Sequence, residues 1–378
     1  MRSEYFQSSS KDHCYVFKMV LHRIETRMTK MLGCRYPIFL PGMSWISNPE
    51  LVAAVSNAGG VGILATGPLN AEETRAAIRE IRRLTDKPFG IGATLLMPGA
   101  IENARVALDE KVPLINVSLG KPDWIVQEAH SYGGKVLSTV VNATHAASAI
   151  EAGADALMVT GHEAAAHGGD VTTFCLIPSI ASRFPEIPIV AAGGIADGRG
   201  MIAAINLGAD AVALGSRFAT TVESPLAQHT KEVISNPDID GGSTESDTIY
   251  SKHFDGINSR VLKTKISMEV TKSQAPLPLV VYRSFMAARN MKIPLWKVLP
   301  GLLTQWDKMY TVAQFGAATE AIKAATMDGD LDKKGVQFIG QSQGLIKDIP
   351  TVDELIQRIV LEAATTSKAS ASLFETEK

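Results

Sequence analysis

The stretch ALMVTGHEAAAHGGDVTTF, Ala156 to Phe174, joins a short apolar run, Ala156 to Val159, to a loop of small residues that carries His162 and His167. The run has the length and aliphatic content of a buried strand. His167 therefore stands just past a strand's carboxyl end, and in a barrel of parallel strands that end is where chemistry is done.

The same rhythm continues on both sides. From Tyr36 to Ile234, short apolar runs alternate with helical stretches in eight strand-then-helix units. The strands are read at Tyr36–Phe39, Gly62–Ala65, Phe89–Thr94, Leu114–Val117, Lys135–Val140, Ala156–Val159, Ile189–Ala192 and Ala211–Leu214, each bounded by Gly or Pro. Between them, Ala71 to Thr85 repeats Ile78, Ile81 and Leu84 at helical spacing, with charged residues on the other faces. Such a helix covers the outside of a sheet, and its run Arg79 to Arg83 faces solvent. Helices stop at Gly59, Gly153 and Gly208, as a left-handed terminal residue requires. GADALMV and GADAVAL, 55 positions apart, echo one another as two βα units built alike would. Continuously apolar strands are buried on both faces, so the sheet is parallel and covered. The fold predicted is α/β, a (β/α)8 TIM barrel.

Composition fits a soluble enzyme and excludes little else. A net charge of −2 over 378 residues gives no reason to expect nucleic acid or an anionic membrane as partner. The three cysteines, Cys14, Cys34 and Cys175, form no CxxC pair and no metal-like spacing with histidine, so neither a disulfide framework nor a metal site is expected. A reducing compartment, the cytoplasm, fits that usage. No run approaches the roughly 18 apolar residues of a membrane span. The first thirty residues mix Glu4, Asp12 and Glu25 with basic residues and do not read as a secretory signal.

After Thr221 the rhythm changes, and Ser235 to Ser251 reads as a polar loop without periodicity. The domain reading is an N-terminal extension, 1–30; the barrel, 31–234; a mainly helical cap, 235–330, with helices at Leu279–Arg289 and Leu295–Trp306; a return to the barrel, 331–366; and a flexible tail, 367–378. Phe338 to Ile346, FIGQSQGLI, is read as the loop that comes back to the active face. A last helix, Val352–Ala363, follows Thr351.

Two clusters on the late strands carry chemical meaning. AAGGIADGRG, Ala191 to Gly200, ends a strand in Gly193-Gly194 just before a helix, and LGSRF, Leu214 to Phe218, ends the next strand with Gly215 and Ser216. Neighbouring loops of this kind make phosphate sites, because backbone N–H groups without Cβ obstruction point at the anion. The same glycines would also serve tight turns alone. At the first strand's exit, Pro41, Gly42 and Met43 make a backbone-rich turn suited to a flat ring, and Asn48 or Ser47 caps the helix that starts near Pro49. His162 is read as a packed or solvent residue, Glu163 as pairing with a cation or capping a backbone N–H, and Lys121 as either a cofactor neighbour or a solvated helix start.

Taken in order and spacing, PGMSWISNPELVAAVSNAGGVGIL, GHEAAAHGG, VAAGGIADG, LGSRF and GQSQGLI resemble the nitronate monooxygenase family, FMN-dependent TIM barrels with a second, mainly helical domain. The resemblance spans roughly Arg35 to Ala363. It implies that His167 is the active-site histidine and that Pro41, Gly42 and Met43 line the isoalloxazine ring. It also implies that Gly193, Gly194, Gly215 and Ser216 grip the phosphate, that Ala164 touches the cofactor, and that Thr94 stands where the family has an amide. The family loop reads EAGGH, whereas Ala165 and Ala166 stand here. Were φ > 0 needed at those positions, alanine would cost roughly 1 kcal/mol each.

By this resemblance the partners are an alkyl nitronate and O2, converted to a carbonyl compound and nitrite, with His167 as base or substrate-binding group; a homodimer is compatible with it. Flavin-dependent enoyl-acyl-carrier-protein reductases share the barrel and much the same motifs, so reduction driven by a nicotinamide is the alternative. A non-catalytic flavin-binding protein is the third reading.

Overall fold

The structure, a computed structural model, describes residues 23–97, 99–236, 244–254, 257–272, 278, 282 and 318–374. Eight parallel strands close into a barrel: β1 (Ile38–Leu40), β2 (Val61–Ala65), β3 (Phe89–Thr94), β4 (Leu114–Ser118), β5 (Lys135–Val140), β6 (Ala156–Thr160), β8 (Ile189–Ala192) and β9 (Ala211–Ala213). Closure is made where β9 pairs β1, with Ile38 opposite Val212 and Phe39 opposite Ala213. The intervening β7 (Ala166–His167) leaves the barrel for a second sheet. Every expected strand is present. The largest shift is in β1, which starts later than read because the Tyr36 N–H donates to Gly59 O instead.

Alternation along the strands builds two cores. Phe39, Ile63, Leu137, Met158 and Val190 fill the barrel's interior, while Ile38, Leu40, Leu64, Val136 and Ile189 pack outward against the helices. The helix Arg27–Leu32 belongs to this construction, although the sequence reading assigned residues up to 30 to an extension: Met28 joins the interior core with no exposed surface. Arg27 fixes the helix to the barrel through two bonds of 2.8 Å to Asp210. The repeated GAD now has a reason. The Asp155 carboxylate accepts from the Val136 N–H at 2.8 Å and Asp210 from the Ile189 N–H at 3.0 Å, so each aspartate anchors the first turn of a neighbouring strand.

Gly59, Gly153 and Gly208 are left-handed, at φ 98°, 89° and 106°. Arg75, Arg79 and Arg82 lie on the solvent side of their helix, where they converge on Glu110. Among the described residues no helix is long and apolar enough to cross a membrane.

The segment after the barrel differs from its reading. Where a polar loop and helices were expected, β10 (Thr248–Ser251) and β11 (Ser259–Leu262) form an antiparallel pair, and β11 continues onto β7. β11 is buried along its whole length. The helix expected at Leu295–Trp306 lies outside the described residues, as does that at Leu279–Arg289 apart from Tyr282, which is helical. The last helix runs Val352–Ser372, well into the tail read as flexible, and opens with the capping box of Thr351 and Glu354.

Candidate active site

A cavity of 1080 Å³ opens at the carboxyl ends of the barrel strands, and all ten residues singled out by sequence line it: Pro41, Gly42, Met43, Thr94, Ala164, His167, Gly193, Gly194, Gly215 and Ser216. The geometry brings together loops from both ends of the chain.

The turn after β1 is fixed from within. Ser47 Oγ donates to Pro41 O at 2.7 Å and accepts from the Met43 N–H at 3.0 Å, locking Pro41, Gly42 and Met43 into one shape. Capping falls to Asn48, whose side chain accepts from the Leu51 N–H. Next to Met43 lies Trp45 at φ 61°, a conformation that costs an ordinary side chain roughly 1–2 kcal/mol. Its side chain packs against Phe254, Val261, Ile322 and Val336, so burial offsets the strain and ties the barrel rim to the second sheet.

On the far side, Gly193 and Gly194 hold φ 104° and 76°. A Cβ on Gly193 would stand 3.0 Å from Ala164 N, so only glycine leaves this cradle open. Buried Ser216 accepts from the Gly340 N–H at 2.9 Å, and its O–H remains a donor. Gly340 belongs to the returning loop, whose Gln341 N–H donates to Glu163 O at 2.9 Å. The return to the active face is therefore real. Arg217 fastens it further on through Asp348 at 3.0 Å; burial pushes this guanidinium down to about 10 despite the carboxylate.

His167 sits in β7, opposite Ser259 of β11, with its ring 6.2 Å from that of Phe338 in an edge arrangement. Arg260, next in β11, is buried. It donates from Nε and Nη2 to His162 O at 3.3 and 2.9 Å, and from Nη1 to Thr248 Oγ1 at 2.8 Å. Burial lowers its pKa, against the attraction of Tyr250 and Glu163. His162 and Glu163 are structural, as read: His162 Nδ1 bonds Gly169 O at 2.9 Å, and the Glu163 carboxylate accepts from the Thr173 N–H and hydroxyl at 2.8 and 2.9 Å. The alanines carry no strain. Non-glycine residues at positive φ among those described are Trp45, Lys111 and Leu119, so Ala165 is not left-handed, and Ala166 belongs to the extended backbone of β7.

Two functional features escaped the sequence reading. Thr94 offers no amide and instead takes a bond from Ser118 Oγ at 3.1 Å. An amide comes from the neighbouring strand: Asn116 lines the cavity and its Oδ1 accepts from Thr139 Oγ1 at 3.0 Å. A lone polar residue inside the apolar run LINVS was its only signal. Arg260 gave none, since its target is a backbone carbonyl 98 residues away.

A closed (β/α)8 barrel with a histidine and a glycine cradle at its carboxyl mouth has the architecture of a barrel oxidoreductase, and comparison with known proteins agrees. The nitronate monooxygenase family model matches residues 25–107 and 100–362, and the chain belongs to that family of oxidoreductases. It is 32% identical over 361 residues to the (3aS,4S,5R,7aS)-5-hydroxy-7a-methyl-1-oxo-octahydro-1H-indene-4-carboxyl-CoA dehydrogenase of Mycobacterium tuberculosis, covering 93% of this chain and 100% of the relative. A probable nitronate monooxygenase of Staphylococcus aureus is 29% identical over 300 residues, 67% of this chain and 82% of the relative. Among solved structures, FabK from Thermotoga maritima superposes with a TM-score of 0.75 at 34% identity, covering 93% of this chain and 100% of that one.

Proposed function

We propose that the chain is an FMN-dependent oxidoreductase whose substrate is a sizeable molecule carried as an acyl thioester. The observation that carries this reading is one cavity that joins His167, a glycine cradle and an apolar wall in 1080 Å³. Ligand pockets usually span about 300–1,000 Å³, so the space suits a cofactor together with a large substrate rather than a small one alone. The thioester is taken from the M. tuberculosis relative, which the chain matches along its whole length.

The residues fit a flavin mononucleotide. Gly193 and Gly194, held in conformations that only glycine adopts easily, with Gly215 and Ser216 beside them, would hold its phosphate. Pro41, Gly42 and Met43 form the rigid turn for its ring, the backbone at Ala164 closes one edge, and Thr94 and Asn116 offer polar groups to it. Bound flavin supplies two-electron redox chemistry. His167 holds the substrate's polar group or moves its proton at a ring nitrogen, a task imidazole performs well near neutral pH. The β7–β11 pairing and Phe338 fix where that ring can be.

The family match and the S. aureus relative favour a second reading on the same site, oxidation of an alkyl nitronate with O2 to a carbonyl compound and nitrite. There His167 donates to the nitro oxygens or removes the α proton of a nitroalkane.

One experiment separates the readings. The purified protein is examined for a flavin spectrum, its cofactor is released and weighed, and turnover is followed with acyl-CoA thioesters plus an electron acceptor, and by oxygen uptake with propionate 3-nitronate. Bound FMN and thioester turnover support the first reading. Oxygen uptake with the nitronate and no response to thioesters moves the assignment to the second. Absence of FMN sinks both.

A further inference from the structure

Of the three described non-glycine residues at positive φ, two line the cavity: Trp45 and Leu119, the latter at φ 50°. Trp45 is half-buried, packed against the apolar cluster beside the second sheet, which accounts for it. Leu119 has no such account. It joins none of the three apolar clusters, and 39% of its surface is exposed. Glycine would adopt this backbone without strain, and glycine stands next to it at Gly120. A leucine kept in a strained conformation, outside every apolar cluster of the described residues, points to contact with something the cavity receives.

Its surroundings name the chemistry. Leu119 lies in the loop after β4, and the wall there is largely apolar: Leu96, Met97, Pro122, Val141 and Ala149 accompany it, with Lys121, His145 and Ser148 as its polar members, and Leu96 is itself 41% exposed. In the closed strand order β4 stands diametrically across the barrel from β9, which is followed, past Leu214, by Gly215 and Ser216. Anion cradle and apolar wall are thus at opposite edges of one mouth, with the β1 turn and the β7 histidine between them.

We propose that this wall is the binding site for the apolar acyl body of the substrate and that Leu119 is a specificity-determining residue that grips it. Only the nature of the carrier rests on the thioester reading; the wall itself does not.

The test is calorimetric titration of the flavin-loaded protein and of two variants with octanoyl-CoA, acetyl-CoA and free octanoate. Leu119→Gly removes the side chain and relieves the backbone; Leu119→Asn keeps the size, suits a left-handed position and is polar. Wild type is expected to bind octanoyl-CoA at least about tenfold more tightly than acetyl-CoA, and both variants to erase most of that preference, as loss of a buried leucine contact implies. Acetyl-CoA affinity and the melting temperature should hold. If neither CoA ester binds but octanoate does, more weakly in the variants, the wall stands and the thioester reading fails. If both esters bind alike and the variants change nothing, the wall is overturned and the thioester reading survives. A lower melting temperature with an unchanged preference makes Leu119 structural and overturns the proposal, as does failure of all three ligands to bind wild type.

Discussion

Replacing Arg260 by methionine should disable the histidine loop without unfolding the protein. The guanidinium makes three hydrogen bonds, two to His162 O and one to Thr248 Oγ1. Hydrogen bonds to a charged group contribute about 1.5–3 kcal/mol each, so a naive sum over three reaches about 4.5–9 kcal/mol. That sum is too large. No carboxylate among the described residues pairs with Arg260, it is 4% exposed, and burial holds its pKa below the usual value. Taking an ion out of water costs several kcal/mol, and methionine, which fills a similar volume, recovers that cost. What remains is mainly the orphaned His162 carbonyl, about 1–3 kcal/mol.

The local effect should exceed the global one. β7 has only two residues and is held by its register with Ser259 and Arg260, so its opening free energy depends on this clamp. Arg260→Met should speed amide hydrogen exchange in residues 161–169 by about 10–100-fold, at 1.4 kcal/mol per decade. It should lower kcat by a similar factor with little change in KM, because about 1 Å of misplacement can cost 10²-fold. Lysine, a single donor group, should restore part of both. Unchanged exchange in that loop together with kcat within about twofold of wild type would refute the positioning role.

Three further outcomes follow from the same geometry. His167→Asn should cut turnover of the true substrate by about 10²–10⁴-fold while leaving flavin content and melting temperature intact, as measured by steady-state kinetics and absorbance. Gly193→Ala places a Cβ 3.0 Å from Ala164 N at φ 104°, so urea unfolding should show a loss of about 1–3 kcal/mol, and FMN should bind at least tenfold more weakly by fluorescence titration. Burial raises the Asp348 carboxyl, but Arg358 and Arg217 together hold it below its ordinary 3.8. Its contribution is therefore present above that value and lost as pH falls through the lowered one. Acid unfolding of Asp348→Asn should begin from lower stability at neutral pH and depend less steeply on pH below about 4.

Local and long-range features were unequally legible in the sequence. Strands such as Ala156–Thr160 and Ile189–Ala192 were readable because burial on both faces leaves nearly continuous apolar runs, and several helices end at glycines whose left-handed φ the structure bears out. The cradle was readable for the same kind of reason: Gly193 and Gly194 state a backbone requirement in their own identity. Ala165 and Ala166 show the limit of that logic. A departure from the family's glycines looked like strain, yet β7 is extended where it pairs with β11, and extended backbone accepts alanine freely.

The second sheet was invisible because each of its strands is held by partners distant in sequence. TIYS and SRVL have too few residues for a period, and the two-residue β7 has none. Their pairing is set by contacts across 92 residues, from His167 to Ser259, which no local window contains. This separation also has a functional consequence. A histidine on a purely local loop would be positioned by its own barrel strand, whereas His167 is held from outside by β11, Arg260 and Phe338. Whatever shifts the second sheet must therefore shift the imaginary line from His167 to the Gly193 cradle, and with it the fit of any substrate that reaches the wall at Leu119. The barrel forms the cavity, and the pairing of β11 with β7 decides where His167 stands in its lining.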